Sequence, residues 1–163
     1  MQGGMDELLT LLEENALRSP ETIGKLLGRP ADEVRRQIKQ LEEDKIILAY
    51  KAIVDDEKAE RNKVKAVIEV RITPERGGGF NRLAARIARY PEVTSCFLMS
   101  GSYDLLVFIE GATLREVATF VSEKLATISG VLSTATHFTL KPYKEQGVLM
   151  LPDENEERLQ ISP

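Results

Sequence analysis

One cysteine (Cys96), one histidine (His137) and no tryptophan set the first limits on this 163-residue chain. A single thiol excludes an internal disulfide and any multi-cysteine metal site, and one imidazole beside it leaves too few soft ligands for a zinc centre. No convincing Ser/His/Asp or Cys/His arrangement can be assembled. Neither a catalytic role nor a cofactor is expected, and His137 reads as a surface or satisfied histidine. Cys96 lies in an apolar strand and reads as a packed, inert thiol. Long hydrophobic runs are also missing: the apolar stretches fall far short of the roughly 20 residues a membrane helix needs. The Met1–Asp6 start lacks a basic and then apolar secretory signal, so a cytoplasmic location is expected. Nor is there an excess of positive charge. The formal net charge of −4 argues against indiscriminate coating of nucleic acid and leaves room for a local basic face. Gly77-Gly78-Gly79 lacks the Gly-Lys-Ser/Thr that would follow in a phosphate loop and reads as a flexible connection.

What is present is a globular profile, 42% hydrophobic and 29% charged, in a length that holds one ordinary domain or two small ones. Met5, Leu8, Leu9, Leu12 and Ala16 repeat at helical spacing. Ser19-Pro20 then supplies an N-cap with proline at the first helical position. The second helix carries Ile23, Leu26 and Leu27 on one stripe and stops at Gly28. Pro30 opens a third, with Ala31, Val34, Ile38 and Leu41 inward. Three short amphipathic helices, the last two joined by a tight glycine-containing turn, form the helix-turn-helix pattern. Ile46–Val54 reads as an extended wing or exit strand, which places this first domain at 1–54.

The polar run 55–62 could fill no core and is read as a linker. From residue 63 to 147 the pattern is β-α-β-β-α-β. Val64, Ala66, Ile68, Val70 and Ile72 alternate as a strand. Leu83, Ala84, Ile87 and Ala88 continue a helical stripe from Phe80. Val93–Ser100 and Tyr103–Glu110 are two strands around a glycine turn. Thr113-Leu114-Arg115-Glu116 has the form of a capping box before a helix running to Ile128. A last strand spans Val131–Tyr143. The fold class is therefore α+β: an N-terminal winged helix-turn-helix, then a ferredoxin-like βαββαβ domain. A tail, 148–163, is acidic from Asp153 and ends with Leu159 and Ile161; it reads either as disordered or as lying on a neighbouring subunit.

Leu105–Ile109 is apolar at every position, whereas a strand with one wet face alternates. In a split βαβ domain both helices cover one face of the sheet, and the other stays open unless something docks there. Leu106 and Phe108, with Leu98, are assigned to that open face. No further segment is long enough to cover it, so a second copy is the expected cover and a sheet-to-sheet homodimer the expected assembly.

The ordered set of these features resembles the Lrp/AsnC (feast/famine) family of transcription regulators over roughly Met5–Tyr143. The most specific pieces are Val34-x-x-x-Ile38-x-x-Leu41-Glu42 followed by Ile46-Ile47-x-x-Tyr50, and Ser100-Gly101-Ser102-Tyr103-Asp104 followed by Gly130-Val131 and Thr134-x-Thr136. The resemblance implies dimers that assemble to octamers or related rings, double-stranded DNA as partner, and a small effector, usually an amino acid, bound between subunits near the glycine turn. Two departures stand out. The family turn most often reads Gly-Asp-Tyr-Asp, and Ser102 replaces its first aspartate, removing one partner for an ammonium group. An arginine usual in the third helix is Gln37 here, and that helix opens on the acidic Asp32-Glu33. Met5–Lys45 carries seven basic and ten acidic residues, a net of −3.

On the third helix the outward face holds Asp32, Arg36, Lys39, Gln40 and Glu43. Arg36 and Gln40 suit bidentate contacts to guanine and adenine edges, and Arg29, Arg35, Lys39 and Lys51 suit phosphates. The competing reading is a solvated helix laced by Asp32–Arg36 and Arg36–Gln40 pairs. The glycine turn also admits two readings. As a sensor, its backbone N–H groups would meet a carboxylate, while Asp104 and the Ser100, Ser102 and Tyr103 hydroxyls accept from an ammonium group. Thr134 and Thr136 would complete the pocket. As a plain hairpin, the turn needs Gly101 only for its backbone angles, with Asp104 bonding its own turn. Function follows the same fork. The first reading is a sequence-specific DNA-binding regulator with a small-molecule-sensing domain. The alternatives are an amino-acid sensor of the same architecture that does not bind DNA and, further off, a protein akin to the haem-pathway decarboxylases of similar layout.

Overall fold

The computed structural model describes residues 2–73 and 79–151. Phe80's side chain, the Gly77-Gly78 connection and the tail from residue 152 lie outside the described residues or side chains. The chain forms two compact units, 1–52 and 53–163.

The first unit is three helices, α1 (Gln2–Glu14), α2 (Pro20–Leu27) and α3 (Ala31–Glu43). Leu8, Leu12, Ile23, Val34 and Leu41 are buried together at its centre, the burial that makes three short helices stable when none would be alone. Ser19 caps α2, its Oγ accepting the Thr22 N–H at 3.2 Å, and Pro20 occupies the first turn where no N–H is needed. Gly28 closes the helix in the left-handed region at φ +66°, which costs glycine nothing. Three stripe residues depart from expectation, Met5 among them at 38% exposed. Ala16 is exposed beyond the end of α1, and Leu26 is 60% exposed, because the buried side of the eight-residue α2 runs through Ile23 and Gly24. Past α3, Lys45 takes a left-handed backbone at φ +59°, and the Ile46 and Ile47 N–H groups both reach the Leu41 carbonyl. No strand forms over 46–54. The expected wing is an unpaired segment, since no strand of its own unit is there to complete a ladder.

The second unit is a four-stranded antiparallel sheet in the order β2-β3-β1-β4, from β1 (Val64–Ile72), β2 (Val93–Leu98), β3 (Leu105–Gly111) and β4 (Val131–Phe138). The crossovers are α4 (Gly79–Ile87) and α5 (Leu114–Thr119), the latter continuing as a π-helical turn over Phe120–Leu125. Ala66, Ile68, Val70, Leu105, Val107 and Ile109 face the helices and pack on Ile87, Val117, Phe120 and Leu125. Asp55 and Asp56, read as linker, fold with this unit: Asp55 Oδ1 accepts the Glu57 and Lys58 N–H groups, and Asp56 pairs with Lys65 at 3.1 Å. The last strand is shorter than expected. After Phe138 the chain enters a small hairpin, Lys144–Glu145 with Val148–Leu149, turned by Gln146 and Gly147, both at positive φ.

Register assigns the two faces. Phe108 lies opposite Val67, and Leu106 lies opposite Glu69 on β1 and Phe97 on β2, so these residues share the face away from the helices. Leu98 does not join them. It pairs with Leu105, placing it on the helix side at the end of an edge strand, where it is 60% exposed. The cause is a register shift between Val93 and Ser95; one extra residue reverses the facing of everything after it. Phe97 takes Leu98's place on the open face, edge-to-face with Phe108 at a centroid distance of 6.0 Å.

Candidate DNA-reading helix and effector turn

Helix α3 presents Arg35, Arg36, Lys39 and Gln40 to solvent, and Val34 and Leu41 anchor it from the opposite side. The pairs that hold these side chains differ from those expected. Arg35 is bound to Glu21 of α2 and to Asp32 at 2.6 Å. Lys39 is 3.5 Å from Glu43, and Gln40 donates to Asp44 at 3.0 Å. Arg36 has no ion pair among the described residues, so neither anticipated Arg36 pairing occurs, and its guanidinium is available for the fork-like contacts that base edges and phosphates accept. Arg29 is half-buried and committed inside the unit. It donates to the Gly4 carbonyl and to Gln37 Oε1, both at 3.2 Å, tying α1 to α3. Gln37, which also donates to Glu33, is thus a packing partner of Arg29 rather than a reading residue. Lys51 is exposed on the unpaired segment. Nearby, Tyr50 donates to Glu42 at 2.9 Å; burial first, then that carboxylate, push the phenol up from its ordinary value.

At the other candidate site, Gly101 has φ +127° and open space where a Cβ would stand. Ser100 and Ser102 are exposed and Tyr103 is half-buried. The Asp104 carbonyl closes the turn by accepting the Met99 N–H at 2.8 Å, while its side chain bonds outside the turn: Oδ2 accepts the Ile72 N–H at 2.8 Å, and the Asp104 N–H donates to the Val70 carbonyl at 3.0 Å. The turn is therefore nailed to the end of β1. Thr134 lies opposite Val70, in the same transverse row as Leu105, so it shares that end of the sheet with the turn, two strand spacings or roughly 10 Å across. Thr136, opposite Ile68, stands one pair further in. The Gly130 carbonyl closes the same end by accepting the Thr73 N–H at 2.8 Å.

No sequence motif announces the cavity of about 500 Å³ at the far end of β3, between that strand and α5. Phe120, Val117 and Ile109 line it with Glu92, Arg115 and Lys124. Glu92 is 2.5 Å from Lys124, and the hydrogen bond from that ammonium holds the carboxyl below its usual range against the opposing effect of burial. Its other oxygen is buried without a partner among the described residues. Lys124 also stands about 6 Å from the ring centroids of Tyr90 and Phe120.

With this geometry in view, residues 65–149 match the model of the Lrp/AsnC ligand binding domain. The uncharacterized HTH-type transcriptional regulator YugG of Bacillus subtilis is 45% identical over 158 residues, covering 96% of this chain and 95% of that protein. The chain belongs to the Lrp/AsnC family. A second family relative, the uncharacterized HTH-type transcriptional regulator PH1916 of Pyrococcus horikoshii, is 33% identical over 139 residues, covering 85% of this chain and 92% of that one. Among solved structures, the chain is similar to the transcriptional regulator NMB0573 of Neisseria meningitidis in complex with L-Met. The TM-score is 0.69 at 25% identity, with 94% of this chain and 97% of that one covered. The E. coli AsnC structure shares the fold, with a TM-score of 0.67 over 89% of this chain and 95% of that one. No helix among the described residues is long and apolar enough to cross a membrane.

Proposed function

We propose that this member of the Lrp/AsnC family is a DNA-binding transcriptional regulator whose second unit joins subunits and binds a small effector, with α3 as the reading helix. The observation that carries the reading is the division of labour on α3: one side fixed by Val34 and Leu41, the other holding Arg36, Lys39 and Gln40 out in solvent. A recognition helix needs that rigidity behind and that chemistry in front. Arg35 and Lys39 reach phosphates by exchanging surface carboxylates for DNA, a small loss because exposed pairs are worth about 0–1 kcal/mol. Gly101, Ser102 and Tyr103, with Thr134 at the same sheet end, supply the effector site. An amino acid fits the donors and acceptors there, and the relative solved with L-Met supports that class. Dimerisation is assigned to the open sheet face through Val67, Phe97, Leu106 and Phe108, and higher assembly would set the spacing of reading helices on successive major grooves.

The experiment is binding of the purified protein to its own upstream DNA at near-physiological salt, with and without a panel of amino acids. Specific binding that one amino acid alters, and that charge reversal at Arg36 and Lys39 abolishes, is the expected result. Unchanged binding in R36E/K39E would remove α3 as reader. Amino-acid binding with no DNA binding would favour the pure sensor.

A further inference from the structure

A second basic surface lies outside the reading unit. From Gly79 to Pro91 the chain reads GFNRLAARIARYP, three arginines and no carboxylate, in a protein of net charge −4. Arg82, Arg86 and Arg89 are all exposed. At about 100° per residue they fall within roughly 60° of arc. The spiral carries through the last of them, because the Ala88 N–H bonds the Ala84 carbonyl at 2.9 Å and the Arg89 N–H the Arg86 carbonyl at 3.3 Å. Leu83, Ala84 and Ile87 occupy the opposite side of α4 and pack on the sheet, so the arginines project outward. Ala85, exposed beside them, adds no long side chain that would hold a flat partner away.

None of the three is in an ion pair among the described residues, a state they share with Arg71 and Arg115 of the same unit, whereas Lys63, Lys65 and Lys124 are each held by a carboxylate. Like charges one turn apart oppose helix formation, and a stripe with no carboxylate partner among the described residues has the chemistry to meet an external polyanion. Guanidinium is the side chain that binds phosphate in a bidentate fork. Arg82 to Arg89 spans roughly 10 Å along the helix, about the axial length of three phosphates on one DNA strand. The reading unit, net −3 over Met5–Lys45, has little long-range attraction of its own for DNA.

We propose that the Arg82–Arg86–Arg89 stripe of α4 is a second DNA contact, which grips the phosphate backbone of duplex DNA and reads no bases. The inference rests on the chain being a DNA-binding regulator. It places a sequence-independent part of the binding on the sensing unit, so DNA is held by both units of the assembly.

The test compares full-length wild type, R82Q/R86Q/R89Q, the charge-retaining R82K/R86K/R89K and R36E/K39E on native upstream duplex and on a scrambled duplex across a salt series. Thermal unfolding and sedimentation serve as controls. The glutamine variant is expected to fold and assemble as wild type and to show a shallower dependence of log affinity on log salt, by about 0.9 for each phosphate no longer neutralised. Where each of the three arginines neutralises one phosphate, wild-type affinity falls a further roughly 40-fold relative to the variant between about 50 and 200 mM salt. The change should be equal on both duplexes, and the lysine variant should restore most of it. Wild-type binding with an unchanged slope in the glutamine variant overturns the inference alone. A loss confined to the native sequence overturns its backbone character. An unchanged slope with altered assembly means the stripe holds a second copy of the chain instead of DNA. Absence of duplex binding by wild type overturns the regulator reading and this inference together.

Discussion

Asp104 Oδ2 accepts the Ile72 N–H at 2.8 Å, joining the glycine turn to the end of β1 at the point where that strand would otherwise leave a donor unmet. The bond is charge-assisted and half-buried, the class that costs about 1–3 kcal/mol when one partner is removed and the other is left unsatisfied. Asp104→Ala should lower unfolding stability by that order in urea titration, while Asp104→Asn, which keeps an acceptor, loses less. If the alanine variant is as stable as wild type yet loses its response to effector, the carboxylate serves the ligand and not the turn.

The Lys124–Glu92 pair makes a pH-dependent contribution whose sign is fixed by direction. Glu92 is held below its usual range by the hydrogen bond from Lys124, with burial acting the other way. A carboxyl whose folded value lies below its unfolded one stabilises the fold above the ordinary carboxylate range, and the contribution fades as pH falls through the lowered folded value. Lys124→Met should therefore be destabilised relative to wild type at neutral pH and converge with it in acid. Lys124 is half exposed, so the gap should stay within about 1 kcal/mol. Denaturant titrations at several pH values measure it; a gap that widens in acid would contradict the assignment.

The core and the element order were legible because both report burial on one face of a regular period. Leu8, Leu12, Val34 and Leu41 repeat at helical spacing and are buried, and β1 alternates inward from Ala66 to Ile72 as its pattern requires. What stayed hidden were departures from period. The register shift after Val93 adds one residue to β2, so an alternation counted from an inward Val93 puts Leu98 on the wrong face. The π-helical turn at Phe120–Leu125 keeps Val117, Leu125 and Ile128 inward, and a helical wheel does not distinguish it from continued α-helix. Pairing partners were hidden too. Arg35 is held by Glu21, fourteen positions away on another helix, and Asp104 by Ile72 on another strand; neither contact has a local signature. The Gln146-Gly147 turn was the one missed element with a readable signal, since a two-residue loop ending in glycine favours a tight hairpin.

Ser19 is the sole side-chain cap of α2, accepting the Thr22 N–H, and α2 is the element that sets α3 in place. An N-cap serine replaced by alanine costs about 1 kcal/mol. Ser19→Ala should lower the melting temperature and weaken binding to DNA only in proportion to the unfolded fraction, whereas Ser19→Asp should retain stability. Thermal melts followed by circular dichroism, with DNA titrations well below the midpoint, separate the two effects.

Register at β2 also decides which residues the proposed sheet-to-sheet dimer would use. Phe97, 52% exposed, stands with Leu106, Phe108 and Val67 on the open sheet face, and Leu98, 60% exposed, points to the other side. Exposure alone ranks Leu98 as the stronger interface candidate; facing reverses the order. A carboxylate introduced among these apolar side chains would be desolvated without a partner, a penalty of several kcal/mol, unlike Glu69 on the same face, which stands 3.4 Å from His137. Phe97→Asp or Phe108→Asp should therefore shift sedimentation toward monomer at micromolar concentration. Leu98→Asp adds its charge at an exposed strand end on the helix side and should leave the assembly intact. Dissociation by Leu98→Asp with Phe97→Asp unaffected would mean that the subunits meet along the β2 edge, in which case the apolar residues of Leu105–Ile109 on the open face need a different cover.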